Sequence, residues 1–427
     1  MKNIFIKSTI ILMCGTFISK LIGFIIRILF ARIIKDGISI YALIMPTYSL
    51  LITITQLGLP YAISSIMARN NYRGIHIFSS IIPIAILFNI FVITCVFYFA
   101  PFLANNLLKN PDTYYPIISI TIILPFTTLS GIIKGYFFGK QNMLPNAISS
   151  IFEQITRLIL LVSIIPILMK KSIVVAVSGY VIISSVSELV QIIVYLFFLP
   201  KNVLISLSDL KIKGKINKDI FSISIPSVSK GLIGNISYFF EPIILTNVLL
   251  YLGYSSSFIA HEYGIYNTYV IPLLIAPTFF TMALNTCLIP EISKNYNNKE
   301  KIRSTLKNTL YISFLIGVVY CLIVFFKGDL ILKYIYRTNE GFNYLKILAI
   351  FFPLFYLEGP LTSTLQGLNY SKFTMNVTLI TCIIKLIILT ILSFLSIGIY
   401  SLVISEIIDI ILVLLLHYRK LHKYQYI

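Results

Sequence analysis

The sequence predicts an all-α polytopic membrane protein, and three observations carry that expectation. Hydrophobic residues make up 58% of the 427-residue chain and charged residues only 11%, where soluble domains carry about 25% charge. Mean hydropathy is +0.92. Apolar runs of about 18 residues or more recur throughout, which is helix-type spanning, because barrel strands would be short and alternating. At about 35 residues for each helix and its loop, the length accommodates about twelve transmembrane helices.

In order, the spans fall near 8–31, 40–66, 77–103, 115–137, 146–169 and 173–199, then 220–250, 265–290, 308–326, 345–367, 373–397 and 398–417. The first follows Lys2 and Lys7 as a signal peptide would. It runs on too far and lacks an A-x-A-like cleavage site, so it is expected to be retained. Pro46, Pro60, Pro125, Pro166, Pro226, Pro242, Pro272, Pro277 and Pro353 lie in or near spans. Prolines there kink helices, and transporters use broken helices at cavities. Tyr is common near span ends, as interfacial anchoring requires, and Trp is absent.

Net charge is +19. Because Lys and Arg sit mostly in short loops between spans, the balance points to membrane topology and excludes nucleic acid as a partner. With the N-terminus inside, inner loops and tails collect roughly 20 basic residues and outer loops about 9. Lys201–Lys218 and Lys294–Lys307 are the richest inner segments, and Lys327, Lys333, Arg337 and Lys346 break the pattern. Both termini are therefore expected on the cytoplasmic side. Cys14, Cys95, Cys287, Cys321 and Cys382 are scattered singly through apolar segments, with neither zinc spacing nor a disulfide framework.

Residues 200–219 form the only long polar interval near the midpoint. The expected organisation is a six-helix N-terminal lobe over 1–199, a basic cytoplasmic linker over 200–219 and a six-helix C-terminal lobe over 220–427. The halves echo each other. GISIYALIMP (37–46) matches YGIYNTYVIP (263–272), LGLPYAIS (57–64) matches CLIPEIS (287–293), and SGIIKGYFFGK (130–140) matches TSTLQGLNYSK (362–372). The spacing between partners is nearly constant, which predicts two pseudo-symmetric lobes around a central cavity.

Charges inside the apolar runs are few, and a cation in hydrocarbon is kept mostly to face a partner or a water-filled path. Lys20 and Arg27 stand seven apart in LMCGTFISKLIGFIIRILFAR, so on a helix they point nearly the same way. Their helix offers no acidic partner before Asp36. The natural client of such a stripe is an anion that must enter the membrane, which makes both candidate substrate-binding residues. Arg32 joins them or snorkels from the span end. Glu153 and Arg157, four apart in the fifth span, either neutralise each other or offer Arg157 to the same anion. Lys230 and Glu241 share a face of the seventh span and either pair or bind ligand and ion separately. Glu241 and Glu153 are thus candidates for ion coupling or charge pairing. Glu188 and Glu358 lie in the sixth and tenth spans, and Lys385, Glu406 and Asp409 read as helix-packing or interfacial charges.

Enzyme signals are weak. His76, His261, His417 and His422 are isolated, and there is no HExxH, nucleophile elbow or Walker A sequence. A glycan polymerase or ligase would need a large outer loop, and no outer loop is long enough. A scaffold without transport leaves the buried cations unexplained. No cofactor and no metal site are expected.

The runs SKLIGFIIRILFAR, KGYFFGKQNMLPNAISSIFEQITR, SIPSVSKGLIGNISYFFEPIIL and FYLEGPLTSTLQGLN resemble the MurJ-like group of polysaccharide and lipid II flippases in the MATE-like superfamily, in order over almost the whole chain. The resemblance implies a multi-pass flippase of the bacterial cytoplasmic membrane. Its client would be an undecaprenyl-pyrophosphate-linked glycan, the peptidoglycan precursor lipid II for spore cortex synthesis, moved by alternating access through a basic cavity. It further implies that Lys20 and Arg27 hold the pyrophosphate, with Lys230 contributing from the opposite lobe. Glu241 would be an ion-linked group for Na or H, with membrane lipids and cell-wall synthesis proteins as partners. The alternatives are export of another polyprenyl-linked unit, such as capsule or teichoic acid, and drug/cation antiport, which would want an acidic cavity. Two departures stand out. Lys20 and Lys134 occupy places where Arg is expected, keeping charge but losing the bidentate fork. MurJ-type flippases also carry two further C-terminal helices that form a groove for the lipid tail, and the sequence ends before them.

Overall fold

A computed structural model of the chain describes residues 2–69, 72–200, 203 and 213–426, with the backbone alone at 2–12, 283 and 286. Most of the polar interval 201–212, read above as linker, lies outside the described residues, as do the side chains of Lys2 and Lys7. Among the described residues every regular element is helical: α1 Lys2–Ile34, α2 Ile38–Gln56, α3 Leu59–Ala68, α4 Gly74–Phe102, α5 Tyr114–Gly139, α6 Leu144–Met169, α7 Ile173–Phe198 and α8 Gly214–Tyr251. There follow α9 Ser256–Ile265, α10 Ile271–Ile275, α11 Thr278–Lys294, α12 Lys299–Tyr336, α13 Phe342–Gly367, α14 Ser371–Phe394 and α15 Tyr400–Lys423. Short π-helical turns at Leu103–Leu107 and Tyr266–Val270 extend α4 and join α9 to α10.

Nine helical stretches among the described residues are long and apolar enough to cross a membrane, or ten if α9–α11, bent by 54°, counts as one span. The chain is therefore a multi-pass membrane protein. Three expected spans differ in outline, the one near 265–290 being the bent α9–α11 stretch. The one near 40–66 is broken at Leu57 and Gly58, both left-handed, which ends α2 and starts α3. The one near 308–326 is the middle of α12, whose first turns hold Lys299, Lys301, Arg303 and Lys307 and whose last hold Lys327 and Lys333. Hydropathy marks where hydrocarbon begins, whereas Lys, Arg and Glu are good helix formers that carry the backbone past it.

By contacts the chain divides into units Met1–Asn235 and Ile236–Ile427, the division falling within α8. In the first unit α5 is the hub, packing against α2, α3, α4 and α7, while α1 lies along α6 and α6 along α7. Its span is 67% buried, more than any other. Small residues allow this, since Gly131 and Gly135 are buried without side chains, and the buried Thr127, Thr128 and Ser130 return their hydroxyls to their own helix. In the second unit α13 has the same place, against α11, α12 and α15.

The close approach at the hubs recurs at matched positions. A Cβ on Gly135 would stand 2.8 Å from the Pro60 carbonyl oxygen and 2.9 Å from Ile63 Cβ. One on Gly367 would stand 2.9 Å from the Ile289 oxygen and 2.9 Å from Ile292 Cβ. Both hubs also end on a non-glycine left-handed residue, Gln141 and Asn369, and the N–H of the next residue returns to the Phe137 and Leu365 carbonyls respectively.

Helix breaks free carbonyls that lipid cannot satisfy. Ser224 Oγ donates to the Leu57 carbonyl oxygen at the α2–α3 break. In the second unit Pro277 has no N–H for the Leu273 carbonyl. The Tyr320 hydroxyl donates to that oxygen at 2.8 Å, and the Tyr356 hydroxyl to the Leu274 oxygen at 2.6 Å.

Gly135→Val is expected to push α3 off α5 and cost about 1–3 kcal/mol. Gly231→Ala, with nothing within 4 Å of its Cβ position, is expected to gain about 0.5–1 kcal/mol. Thermal unfolding of both variants in detergent checks the contrast.

Candidate functional site

The first unit carries a polar cluster on α5, α6 and α7. Arg157 Nη2 donates to Glu153 Oε1 at 2.5 Å, and both side chains are largely buried. The spacing alone allows this, because residues four apart stack on one helix face. Gln154 Nε2 donates to the same oxygen at 3.3 Å. One helix away, Glu188 is buried and accepts from Ser130 Oγ. The charges of Arg157 and Lys134 both act on the Glu188 carboxylate. Gln191 Nε2 on α7 donates to Ser150 Oγ at 3.3 Å and ties α7 to α6 beside this cluster.

Helix α1 borders the cluster. Gly15 leaves room for Ala147, and a Cβ on Gly23 would lie 3.3 Å from Gln154 Oε1. Lys20 precedes Gly23 by three residues and Arg27 follows it by four, so the three positions fall on one side of α1. Lys20 is half-buried and Arg27 exposed, whereas Ile26 and Phe30 of the same helix are buried. Arg32 is half-buried within the last turn of α1. Counted together, Lys20, Arg27, Lys134 and Arg157 outnumber Glu153 and Glu188, so this side of the first unit is basic.

Lys230 lies half-buried on the part of α8 that belongs to the first unit. A turn further on, the Asn235 amide accepts from Ser49 Oγ at 2.7 Å and donates to Thr53 Oγ1 at 2.6 Å. These bonds fasten α8 along α2.

Glu241 takes its ammonium partner from another helix. Lys385 Nζ on α14 stands 2.8 Å from Glu241 Oε1 and 2.6 Å from Glu406 Oε2 on α15. Asp409 lies close enough to act on the same ammonium. Two carboxylates contact this one ammonium and a third acts on it, so the second unit's cluster is acidic. The sequence reading of Lys385, Glu406 and Asp409 as helix-packing or interfacial charges did not bring Glu241 to them. Its partners come from helices far apart in the chain, and the only sequence signal was an isolated lysine deep in an apolar run. Among the described residues no three His, Cys, Asp or Glu side chains are placed to hold a metal ion.

Many apolar helices, charges paired inside them and a basic stripe on the first helix define a polytopic membrane protein of transporter architecture. The chain belongs to the polysaccharide biosynthesis protein family, whose model matches residues 5–295. A MatE model also matches residues 242–392. The chain is 31% identical to stage V sporulation protein B of Bacillus subtilis (strain 168), over 99% of this chain and 84% of that one. It is 25% identical to the lipid II flippase MurJ of the same organism, over 91% of this chain and 77% of that one. A multidrug resistance MATE family transporter of the MOP superfamily, in its inward-facing conformation, superposes with a TM-score of 0.75 at 14% identity, covering 95% of each chain. The fold is thus MATE-like.

Removing one member of a buried ion pair strands the other. Arg157→Leu is expected to lower stability by about 3 kcal/mol, and Glu153→Gln added to it to restore most of that loss. Unfolding of the two variants and wild type in one detergent gives the comparison.

Proposed function

We propose that the chain is a flippase that moves an undecaprenyl-pyrophosphate-linked glycan across the cytoplasmic membrane, with lipid II for spore cortex synthesis as its substrate. The observation that carries this is the basic balance of the first unit, where α1, the helix of Lys20 and Arg27, packs along α6, the helix of the Glu153–Arg157 pair. A sugar pyrophosphate cannot shed its water into hydrocarbon without replacement donors, and a row of membrane-embedded cations provides them. Lys20 and Arg27 hold the pyrophosphate, Lys230 and Arg32 are secondary contacts, and Arg157 is available when Glu153 releases it. The name of the lipid II flippase relative supports the substrate class and transport over catalysis, and the name of the sporulation relative supports the setting.

In this proposal the chain crosses the membrane twelve times, α1 and the α2–α3 pair adding to the long apolar helices. Two six-span lobes joined by the polar interval 200–219 alternate in access, and both termini are cytoplasmic. The prenyl tail stays in lipid. A membrane potential negative inside favours outward movement of the anionic head by about 2.3 kcal/mol per charge per 100 mV. Cell-wall synthesis proteins are the partners that would consume the delivered unit. The family model's description favours one second reading, export of another polyprenyl-linked polysaccharide unit. Drug/cation antiport fits less well, because α1 presents cations rather than carboxylates.

The test is translocation of the lipid II head group in proteoliposomes under an imposed potential. Wild type is expected to move it, and Arg27→Ala to insert and accumulate normally while losing at least tenfold in rate. Wild-type rates in Arg27→Ala would remove the anion site from α1. Transport of a different polyprenyl glycan alone would establish the second reading.

A further inference from the structure

In the second unit's cluster two carboxylates meet on one ammonium. Two carboxylate oxygens, from Glu241 on α8 and Glu406 on α15, converge on a single point at 2.8 Å and 2.6 Å, and that point is Lys385 Nζ. Only an ammonium on a long unbranched stem places a compact charge there. The surroundings are oxygen-rich beyond what one lysine needs. Asp409 Oδ1 is buried without a hydrogen-bond partner, and so is the hydroxyl of Tyr266, a residue only 2% exposed. Tyr266 is close enough for its hydroxyl to feel the charges of Glu406, Lys385 and Glu241. The remaining titratable groups around the cluster are Cys382 on α14, Tyr263 on α9 and Tyr238 on α8, none of them cationic. Among the described residues, Lys385 is therefore the one positive charge seen to act on these three carboxylates.

We propose that Lys385 is a resident cation, a covalently tethered ammonium that occupies the position a dissociable alkali-metal ion would otherwise take among Glu241, Glu406, Asp409 and Tyr266. The chemistry is that of a hard oxygen cage. Carboxylate and hydroxyl oxygens bind an ammonium or a small alkali cation by the same attraction, and in hydrocarbon such a cage cannot stand empty because its mutual repulsion is unscreened. A tethered cation cannot leave with an ion gradient, so no Na or K gradient enters transport at this site. This rests on the transporter reading above and narrows its coupling ion. The potential acting on the charged substrate, or a proton on the surplus carboxylates, supplies the drive.

The full-length protein, purified in detergent, is melted in NaCl, KCl and choline chloride at matched ionic strength. Wild type and Lys385→Arg are expected to melt at one temperature in all three salts. Lys385→Ala, with the ammonium gone and space in its place, is expected to melt several degrees lower in choline chloride. It should recover saturably with NaCl or KCl, and lose that recovery when Glu241→Gln is added. A saturable alkali-cation shift in wild type would overturn the proposal, as would a Lys385→Ala protein indifferent to all three salts. Should Lys385→Ala fail to fold, wild type still decides, because its salt indifference supports the resident cation and a Na shift refutes it. The readout is unfolding, so absent transport of lipid II in proteoliposomes would count against the flippase reading alone.

Discussion

Hydrocarbon offers no hydrogen bonds, and that single constraint organises this protein from its helix ends to its charges. At the α2–α3 break and at the break before Pro277, a hydroxyl from a neighbouring helix takes up a carbonyl near the break. Ser224 does so at Leu57, and Tyr320 and Tyr356 do so ahead of Pro277. The same constraint acts more strongly on ions, since an unpaired carboxylate in the interior costs far more than an unpaired carbonyl. Glu153 is met by Arg157, Glu188 by Ser130, and Glu241 and Glu406 by one shared lysine.

The two clusters differ in sign, and the difference separates their tasks. The first unit has more cations than carboxylates along α1, α5 and α6, with Arg27 exposed, and the proposed reading gives it the anion. The second unit's cluster is inward-turned, with Glu241 and Lys385 both largely buried, and its carboxylates act on each other and on one ammonium. Such a knot ties α8, α14 and α15 together without offering a free positive group to an incoming pyrophosphate. In the proposed reading, anion recognition and internal charge balance occupy different sets of helices.

Class, approximate span positions and the i,i+4 pair of Glu153 with Arg157 were legible in the sequence, because each depends on residues near one another in the chain. The breaks were less so. Leu57 is an ordinary apolar residue that gives no hint of a left-handed backbone, and the true ends of α12 are set by charged helix formers that hydropathy excludes. Glu241 illustrates the limit on sites. From sequence its nearest cationic companion was Lys230 on the same helix, whereas its partner comes from α14, and only tertiary packing brings that lysine within reach. Asn235 was likewise invisible as the clasp between α8 and α2, since an asparagine in an apolar run declares a need for partners but not their address.

The paired glycines at the hubs bear on how the two halves of the chain have diverged. SGIIKGYFFGK and TSTLQGLNYSK share few residues, yet Gly135 and Gly367 occupy the same place in both, and each lies against a helix backbone that carries Ile63 or Ile292. Where backbone meets backbone no side chain of any kind fits, so drift is barred there and free on the lipid-facing positions between. A duplicated ancestor would then leave its record in punctuation rather than vocabulary: glycine, proline and the small residues beside them persist, while the apolar letters around them are exchanged at will.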